Sequence, residues 1–154
     1  MWGENMENYE EVFNKSFYHT LETAIAALPA ETRAELYKPC AAACVSYYVL
    51  PEMQRQFAEC GNSLDLQYEK YGRTEYFFAD IIERGHVYEL GYPRCLCPMV
   101  AKGLASAPTH CECSRQSVLQ VLHTLLPDKK ISVERLHTVL TGAKECRFRV
   151  TVEE

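Results

Sequence analysis

The spacing of apolar residues predicts that the first half of the chain is mostly helical. Over 8–28, apolar side chains recur every three or four residues, as on the buried face of an amphipathic helix. Pro39 is expected to interrupt the helical pattern that follows, because proline lacks the backbone N–H that a helix interior uses. The segment 74–84 is ambiguous, and we favour a helix that ends at Gly85. The remaining helices are predicted over 30–37, 39–50, 52–60 and 63–71.

In the second half, the pattern changes to strands with one helix between them. Strands or extended arms are expected at about 86–90 and 94–100, on either side of a Gly-Tyr-Pro turn. The short HCEC segment over 110–113 is expected to be extended. Ser114 is a good helix N-cap, and the apolar set that follows it predicts a helix that ends near Leu126.

Two further strands are predicted within 130–140 and 145–152. In the second of them apolar residues alternate with polar ones, which indicates one buried face. Helices followed by an antiparallel sheet are typical of the α+β class. We therefore predict a helical N-terminal half packed on a C-terminal antiparallel β-sheet with one inserted helix. The length suits a single domain over 1–154, mainly helical over about 1–84 and cysteine-rich over about 85–154.

The net charge and the hydropathy of the chain restrict the binding partners and the cellular compartment that we expect for the protein. The formal net charge is −5, and no run of five Lys or Arg occurs, so the basic surface that nucleic-acid binding needs is missing. The longest nearly uncharged apolar stretch, PCAAACVSYYVLP, is too short to span a bilayer. The acidic N-terminal segment is unlike a secretory signal. We expect a cytoplasmic protein with no nucleic-acid and no membrane partner, and the oligomeric state stays open.

The strongest chemical signal is a set of two Cys-x-Cys pairs among the eight cysteines. Cys95 and Cys97 are separated from Cys111 and Cys113 by a loop of 13 residues. A reducing cytoplasm disfavours structural disulfides, so clustered cysteines there indicate metal binding or thiol chemistry. Zinc would need thiolates at about 2.3 Å in a tetrahedron, so each pair would need a local turn of the backbone to chelate one ion.

Pro98 and the helix start at Ser114 are the expected positions of these turns. Three roles stay open for the pairs: a site for zinc or for an iron–sulfur cluster, a redox-active dithiol, or inert buried side chains. Cys40 and Cys44 lie four residues apart on one helix face, which makes them possible additional metal ligands. His110, beside the second pair, is the candidate general base or further ligand.

A set of aromatic residues is a candidate lining for a small-molecule pocket. The alternative is that these rings are packed in the core or between helices. The residues are Tyr47, Tyr48, Tyr68, Tyr71, Tyr76, Phe77 and Phe78.

From about Cys40 onward the chain carries the motifs PCAAAC, RCLCPMV, PTHCECS and VERLHTVLTGAKECRFRV. This series resembles the L-2-amino-thiazoline-4-carboxylic acid hydrolase-like family, and the C-terminal half resembles the four-vinyl reductase domain. The resemblance implies an α+β fold and a hydrolase that opens a cyclic amidine-like ring by adding water. For the four-vinyl reductase relatives it implies a small-molecule-binding module, in some cases with a cysteine-bound metal.

The function expected from the sequence is a cysteine-rich metal-binding domain with a pocket for a small-molecule ligand or substrate. If the domain is an enzyme, it is expected to hydrolyse a cyclic amidine or thiazoline. A zinc ion with an open coordination position would activate water, and His110 would move protons. Three cysteines at one ion would favour this chemistry, whereas four would favour a structural site. The first alternative is a non-catalytic sensor or binding module with a structural metal site, and the second is a thiol redox protein.

Overall fold

Four consecutive α-helices form the N-terminal part of the protein in the computed structural model, which describes residues 3–154. They are followed by a β-hairpin, a short helix, a long helix and a second pair of strands. The helices are α1 (Gly3–Ala26), α2 (Ala30–Ser46), α3 (Val49–Glu59), α4 (Leu64–Tyr71), α5 (Pro98–Ala101) and α6 (Glu112–Leu125). The strands are β1 (Phe78–Glu83), β2 (Val87–Tyr92), β3 (Lys130–His137) and β4 (Cys146–Glu153).

The four strands form one antiparallel sheet in the order β1-β2-β4-β3. On β4 the side chains of Cys146, Phe148, Val150 and Val152 are buried, as their alternation predicts. This face packs with α6, whose Val118, Val121 and Leu122 belong to the same core. The α+β class, with helices first and an antiparallel sheet second, is therefore confirmed.

Helix α2 runs through Pro39 without a break, so the predicted interruption there is wrong. Tyr37, Ala41 and Val45 are buried at four-residue spacing on both sides of the proline. This face packs extensively against α6. The packing on both sides of Pro39 compensates for the lost backbone hydrogen bond, because most helix stability in proteins comes from tertiary contacts.

The helix predicted over 74–84 is also wrong, because the segment forms a turn and then strand β1. The hydroxyl of Thr74 accepts hydrogen bonds from the backbone N–H groups of Tyr76 (3.1 Å) and Phe77 (2.9 Å). This turn directs Phe78–Glu83 along β2, where the ladder satisfies the backbone of the segment. Pairing with β2 therefore determines the secondary structure of a segment whose local sequence pattern does not distinguish a helix from a strand.

Both cysteine pairs lie in more compact backbone than the predicted extended arms. The first pair lies in an irregular segment, and Pro98 then opens α5, so the turn expected at Pro98 is present but the strand over 94–100 is not. The HCEC segment is not extended, because Pro108–Cys111 form a 3-10 turn and α6 begins at Glu112. Proline suits the first position of such a turn, since its fixed φ is already helical.

A buried carboxylate attaches α1 to the rest of the protein. Glu22, near the end of α1, is 6% exposed. Its Oε1 accepts hydrogen bonds from the backbone N–H groups of Ser106 (2.9 Å) and Ala107 (2.8 Å).

Among residues 3–154, no helix is long and apolar enough to cross a membrane.

Candidate functional site

An apolar pocket lies between the α3–α4 pair, strand β2 and α6. Its volume is about 410 Å³, which is within the range of small-molecule sites. The helix α6 contributes Val118, Val121 and Leu122, and β2 contributes Leu90 and Tyr92. The other lining residues are Val45, Tyr48, Val49, Glu52, Met53, Gln56, Tyr68, Tyr71, Thr74, Tyr76, Phe77, Leu96 and Ser117.

Five of the seven aromatic residues predicted as a possible lining are found in this pocket. They are Tyr48, Tyr68, Tyr71, Tyr76 and Phe77, and Tyr68 is at the same time a buried residue of the core, as the alternative expected. The other two do not line it. Tyr47 is on the surface, 92% exposed, and Phe78 is buried with its ring centre 4.5 Å from the guanidinium of Arg147.

Two polar side chains of the pocket, Glu52 and Ser117, are occupied by bonds within the protein, whereas the buried hydroxyl of Tyr68 has no hydrogen-bond partner among residues 3–154. Glu52 accepts hydrogen bonds from Arg55 (2.7 Å) and Gln56 (3.0 Å), and these bonds lower the pKa of the Glu52 carboxyl to about 2. Ser117 donates to the backbone carbonyl of Cys113 at 3.0 Å. Because the pocket offers mainly carbon surface, an apolar ligand suits it better than a charged one.

Seven of the eight cysteines come from segments that meet beside this pocket, and all eight are free thiols. Burial raises the pKa of Cys113 to about 12, and the nearby thiols of Cys44, Cys40, Cys97 and Cys111 raise it further. The two Cys-x-Cys pairs and the α2 cysteines therefore lie near one another, a proximity that the sequence left open for Cys40 and Cys44. We call the following set the cysteine cluster: Cys40, Cys44, Cys95, Cys97, Cys111, Cys113 and Cys146.

Cys97 differs from its neighbours because it pairs with His110. The Cys97 Sγ lies 3.4 Å from the His110 Nε2, and the His110 ring makes an edge contact with Tyr37, with ring centres 5.8 Å apart. Burial acts to raise the pKa of Cys97. The hydrogen bond with His110, helped by the backbone N–H groups of Val100 and Met99, outweighs burial and lowers that pKa below its usual value.

The other buried thiols of the cluster are held in the neutral form. Burial raises the pKa of Cys111 and of Cys146 above the ordinary value of a cysteine. Cys146 also accepts a hydrogen bond from the backbone N–H of Val139, at 3.4 Å. The cluster therefore contains one thiol that favours the thiolate beside several that disfavour it.

The structure does not show a preformed metal shell in the cluster. Within residues 3–154, no group of three or more His, Cys, Asp or Glu side chains is arranged to hold a metal ion. The donor types suit zinc, and a bound metal ion would itself favour the thiolate form, because it lowers the pKa values of its cysteine ligands. The expected roles of these cysteines as ligands of zinc or of an iron–sulfur cluster therefore stay predictions.

The pocket and the cysteine cluster share a wall. Leu96, between the two cysteines of the first pair, lines the pocket, and so does Ser117, one helical turn after Cys113. Tyr92 lines the pocket, while its phenol is close enough to Cys146 to be affected by that thiol. The sequence did not assign Tyr92 to the pocket, because this residue was expected in the Gly-Tyr-Pro turn, whereas β2 continues to Tyr92.

Comparisons with known proteins add little to this description. No protein-family model and no curated protein sequence matches the chain. One similar solved structure is the crystal structure of a trafficking protein particle complex subunit 3 from Naegleria fowleri covalently bound to palmitic acid. It is 12% identical, covers 96% of this chain and 97% of that chain, and has a TM-score of 0.42, which is too low to support an inference.

Proposed function

We propose that the protein is a small-molecule-binding module whose ligand occupies the pocket between α3, α4, β2 and α6. The observation that carries this proposal is the pocket itself, with about 410 Å³ of space lined mostly by aliphatic and aromatic side chains. The ligand class is an uncharged, mainly apolar molecule, because the one carboxylate in the lining, Glu52, already pairs with Arg55. Eight free thiols are compatible with a cytoplasmic location, which we include in the proposal.

The mouth of the pocket is where a ligand would enter. Tyr48 is 76% exposed and also contributes to the lining, and Leu96 and Tyr76 are exposed lining residues as well. Large apolar side chains that stay exposed at a pocket rim gain contact area when a ligand is present. Ligand binding is therefore expected to reduce the accessibility of these three side chains.

The experiment is a titration with N-phenyl-1-naphthylamine, an uncharged apolar dye that becomes fluorescent in apolar sites. Wild-type protein is expected to bind one dye per chain with micromolar affinity. The variant Val49→Trp adds bulk at a lining position that is itself partly exposed, so it is expected to weaken binding at least tenfold without disturbing the core. Tyr47→Trp is the matched control, because Tyr47 is two residues from Val49 in sequence but outside the pocket. Equal dye binding by both variants would reject the proposal.

A second candidate function, thiol chemistry, is supported by the Cys97–His110 pair. A thiol 3.4 Å from an imidazole can transfer its proton to the ring and react as a thiolate. The test is alkylation with iodoacetamide, which forms a sulfur–carbon bond at the thiolate and releases iodide, followed by peptide mass mapping. Cys97 is expected to react before Cys113, and His110→Gln is expected to slow Cys97 alone. Uniform labelling of the partly exposed cysteines would reject this candidate.

Zinc-dependent hydrolysis of a cyclic amidine, with the Cys-x-Cys pairs as ligands, stays a prediction. Its support remains the sequence motifs and the proximity of the cysteine cluster to the pocket. Metal analysis of protein purified without added metal, together with thiol titration, addresses the metal. A ring-opening assay on aminothiazoline carboxylate with zinc-loaded protein addresses the reaction, and an inactive loaded protein would reject it.

A further inference from the structure

An apolar stripe runs along the exposed side of α1. Its side chains recur at three- and four-residue steps, and the three aromatic rings form a ladder along the helix. The ring centres of Tyr9 and Phe13 are 6.1 Å apart, and those of Phe13 and Phe17 are 6.0 Å apart. These three side chains are 65%, 51% and 54% exposed. We call Met6, Tyr9, Phe13, Phe17 and Leu21 the α1 stripe.

The protein covers a different side of α1. The buried contact is made by Glu22, which bonds to the backbone of Ser106 and Ala107 near the end of the helix. Phe17 and Leu21, within one turn or so of Glu22, remain about half exposed. The stripe is therefore an apolar face that the described part of the chain leaves uncovered.

The area of the stripe decides what kind of occupant suits it. Aromatic side chains bury roughly 150–250 Å² each when fully covered, so five large apolar side chains at about half exposure present roughly 500 Å². That is in the upper part of the range of apolar patches that monomers usually expose. If the same stripe on two molecules were covered at once, roughly 1,000 Å² would be buried, which is the smallest area expected of a specific interface.

We propose that a second copy of this chain packs on the α1 stripe to form a two-fold symmetric dimer with the two α1 helices antiparallel. A two-fold axis at Phe13 places Tyr9 of one copy level with Phe17 of the other, so ring meets ring. Glu10, at the edge of the stripe, is then level with Ser16 of the other copy, whereas a parallel pair would set the two Glu10 carboxylates side by side. Antiparallel helix dipoles also favour this arrangement. The dimer is independent of the pocket function.

The test is the mass of the full-length protein in solution by sedimentation equilibrium at micromolar concentrations. The expected mass is twice the 17.7 kDa of the chain. The double variant Phe13→Glu, Phe17→Glu is expected to weaken dimerisation at least 100-fold, because it puts charges at the centre of the interface. Tyr47→Glu is the matched control on an exposed ring outside α1, and it is expected to stay dimeric. Circular dichroism checks that each variant is folded.

A photo-crosslinking experiment tests the geometry without relying on destabilising variants. With benzoylphenylalanine in place of Phe13, crosslinks are expected within 9–17 of a second copy. A monomeric wild-type mass, a dimer that persists in the double variant, or crosslinks to another face would each overturn the proposal. Monomeric protein that co-floats with phosphatidylcholine vesicles would overturn it in favour of a lipid surface.

Discussion

Removal of the buried carboxylate of Glu22 is expected to release α1 from the protein. In Glu22→Ala, the backbone N–H groups of Ser106 and Ala107 lose their common acceptor, Oε1 of Glu22, at 2.9 and 2.8 Å. A hydrogen bond to a charged group stabilises a protein by about 1.5–3 kcal/mol. Ser106 is exposed and its N–H can be hydrated after the change, so the lower end of that range applies to each bond. The expected loss in the free energy of unfolding is about 3 kcal/mol.

The assay is urea denaturation followed by circular dichroism, with native-state hydrogen exchange as a second readout. In Glu22→Gln, which keeps an acceptor oxygen but loses the charge, roughly half of that loss is expected. Glu11→Ala is the control on the same helix. Glu11 is an exposed carboxylate paired with Lys15, and its removal is expected to leave the midpoint unchanged. If Glu22→Ala and Glu11→Ala unfold alike, and the amides of Ser106 and Ala107 keep their protection, the role assigned to Glu22 is wrong.

Three further predictions concern the sheet, α6 and the cysteine cluster. A Cβ at Gly91 would lie 1.8 Å from a backbone carbonyl oxygen of β4. Gly91→Ala is therefore expected to lower the free energy of unfolding, measured in urea, by about 3 kcal/mol or more, and wild-type stability would contradict this. Burial acts to raise the pKa of Glu112, but its bonds with Arg115 outweigh burial and lower that pKa. The stabilisation by ionised Glu112 is fully present above the pKa of a carboxyl in the unfolded chain, and it is lost as the pH falls through the lower pKa in the folded protein. Glu112→Gln should therefore reduce the acid-side slope of the free energy of unfolding plotted against pH. An unchanged curve would refute the assignment. The alkylation rate of Cys97 is expected to rise at a lower pH than that of a free cysteine, and His110→Gln is expected to move this rise to higher pH; identical profiles would show that the pair is not coupled.

The sequence predicted those elements whose hydrophobic period is clear. Helix α1 and strand β4 follow directly from apolar spacings of three to four residues and of two residues. Strand β1 was not predictable in this way, because its residues become a strand only when β2 is present to pair with them. Similarly, α2 continues through Pro39 because α6 covers it on both sides of that residue, which no local pattern reveals.

The sequence predicted which types of residue form the candidate site better than it predicted how those residues are arranged. The cysteine pairs and the aromatic set around Tyr68 and Tyr76 are visible in the sequence, and the structure brings both to neighbouring places. The difference between Cys97 and Cys113 is not visible, because it depends on which thiol meets His110 and which is buried among other thiols. Burial and charged neighbours set these properties, and both are products of the folded chain.

Methyl NMR with the apolar dye would locate the binding site within the protein. With labelled Val and Leu methyl groups, saturating N-phenyl-1-naphthylamine is expected to shift the signals of the pocket residues Leu90, Val118 and Val121. The methyl signals of Leu21, on the α1 stripe, are expected to stay in place, which separates the pocket from the other apolar surface of the protein. Shifts confined to α1, with unchanged signals at the three pocket residues, would contradict the proposed function.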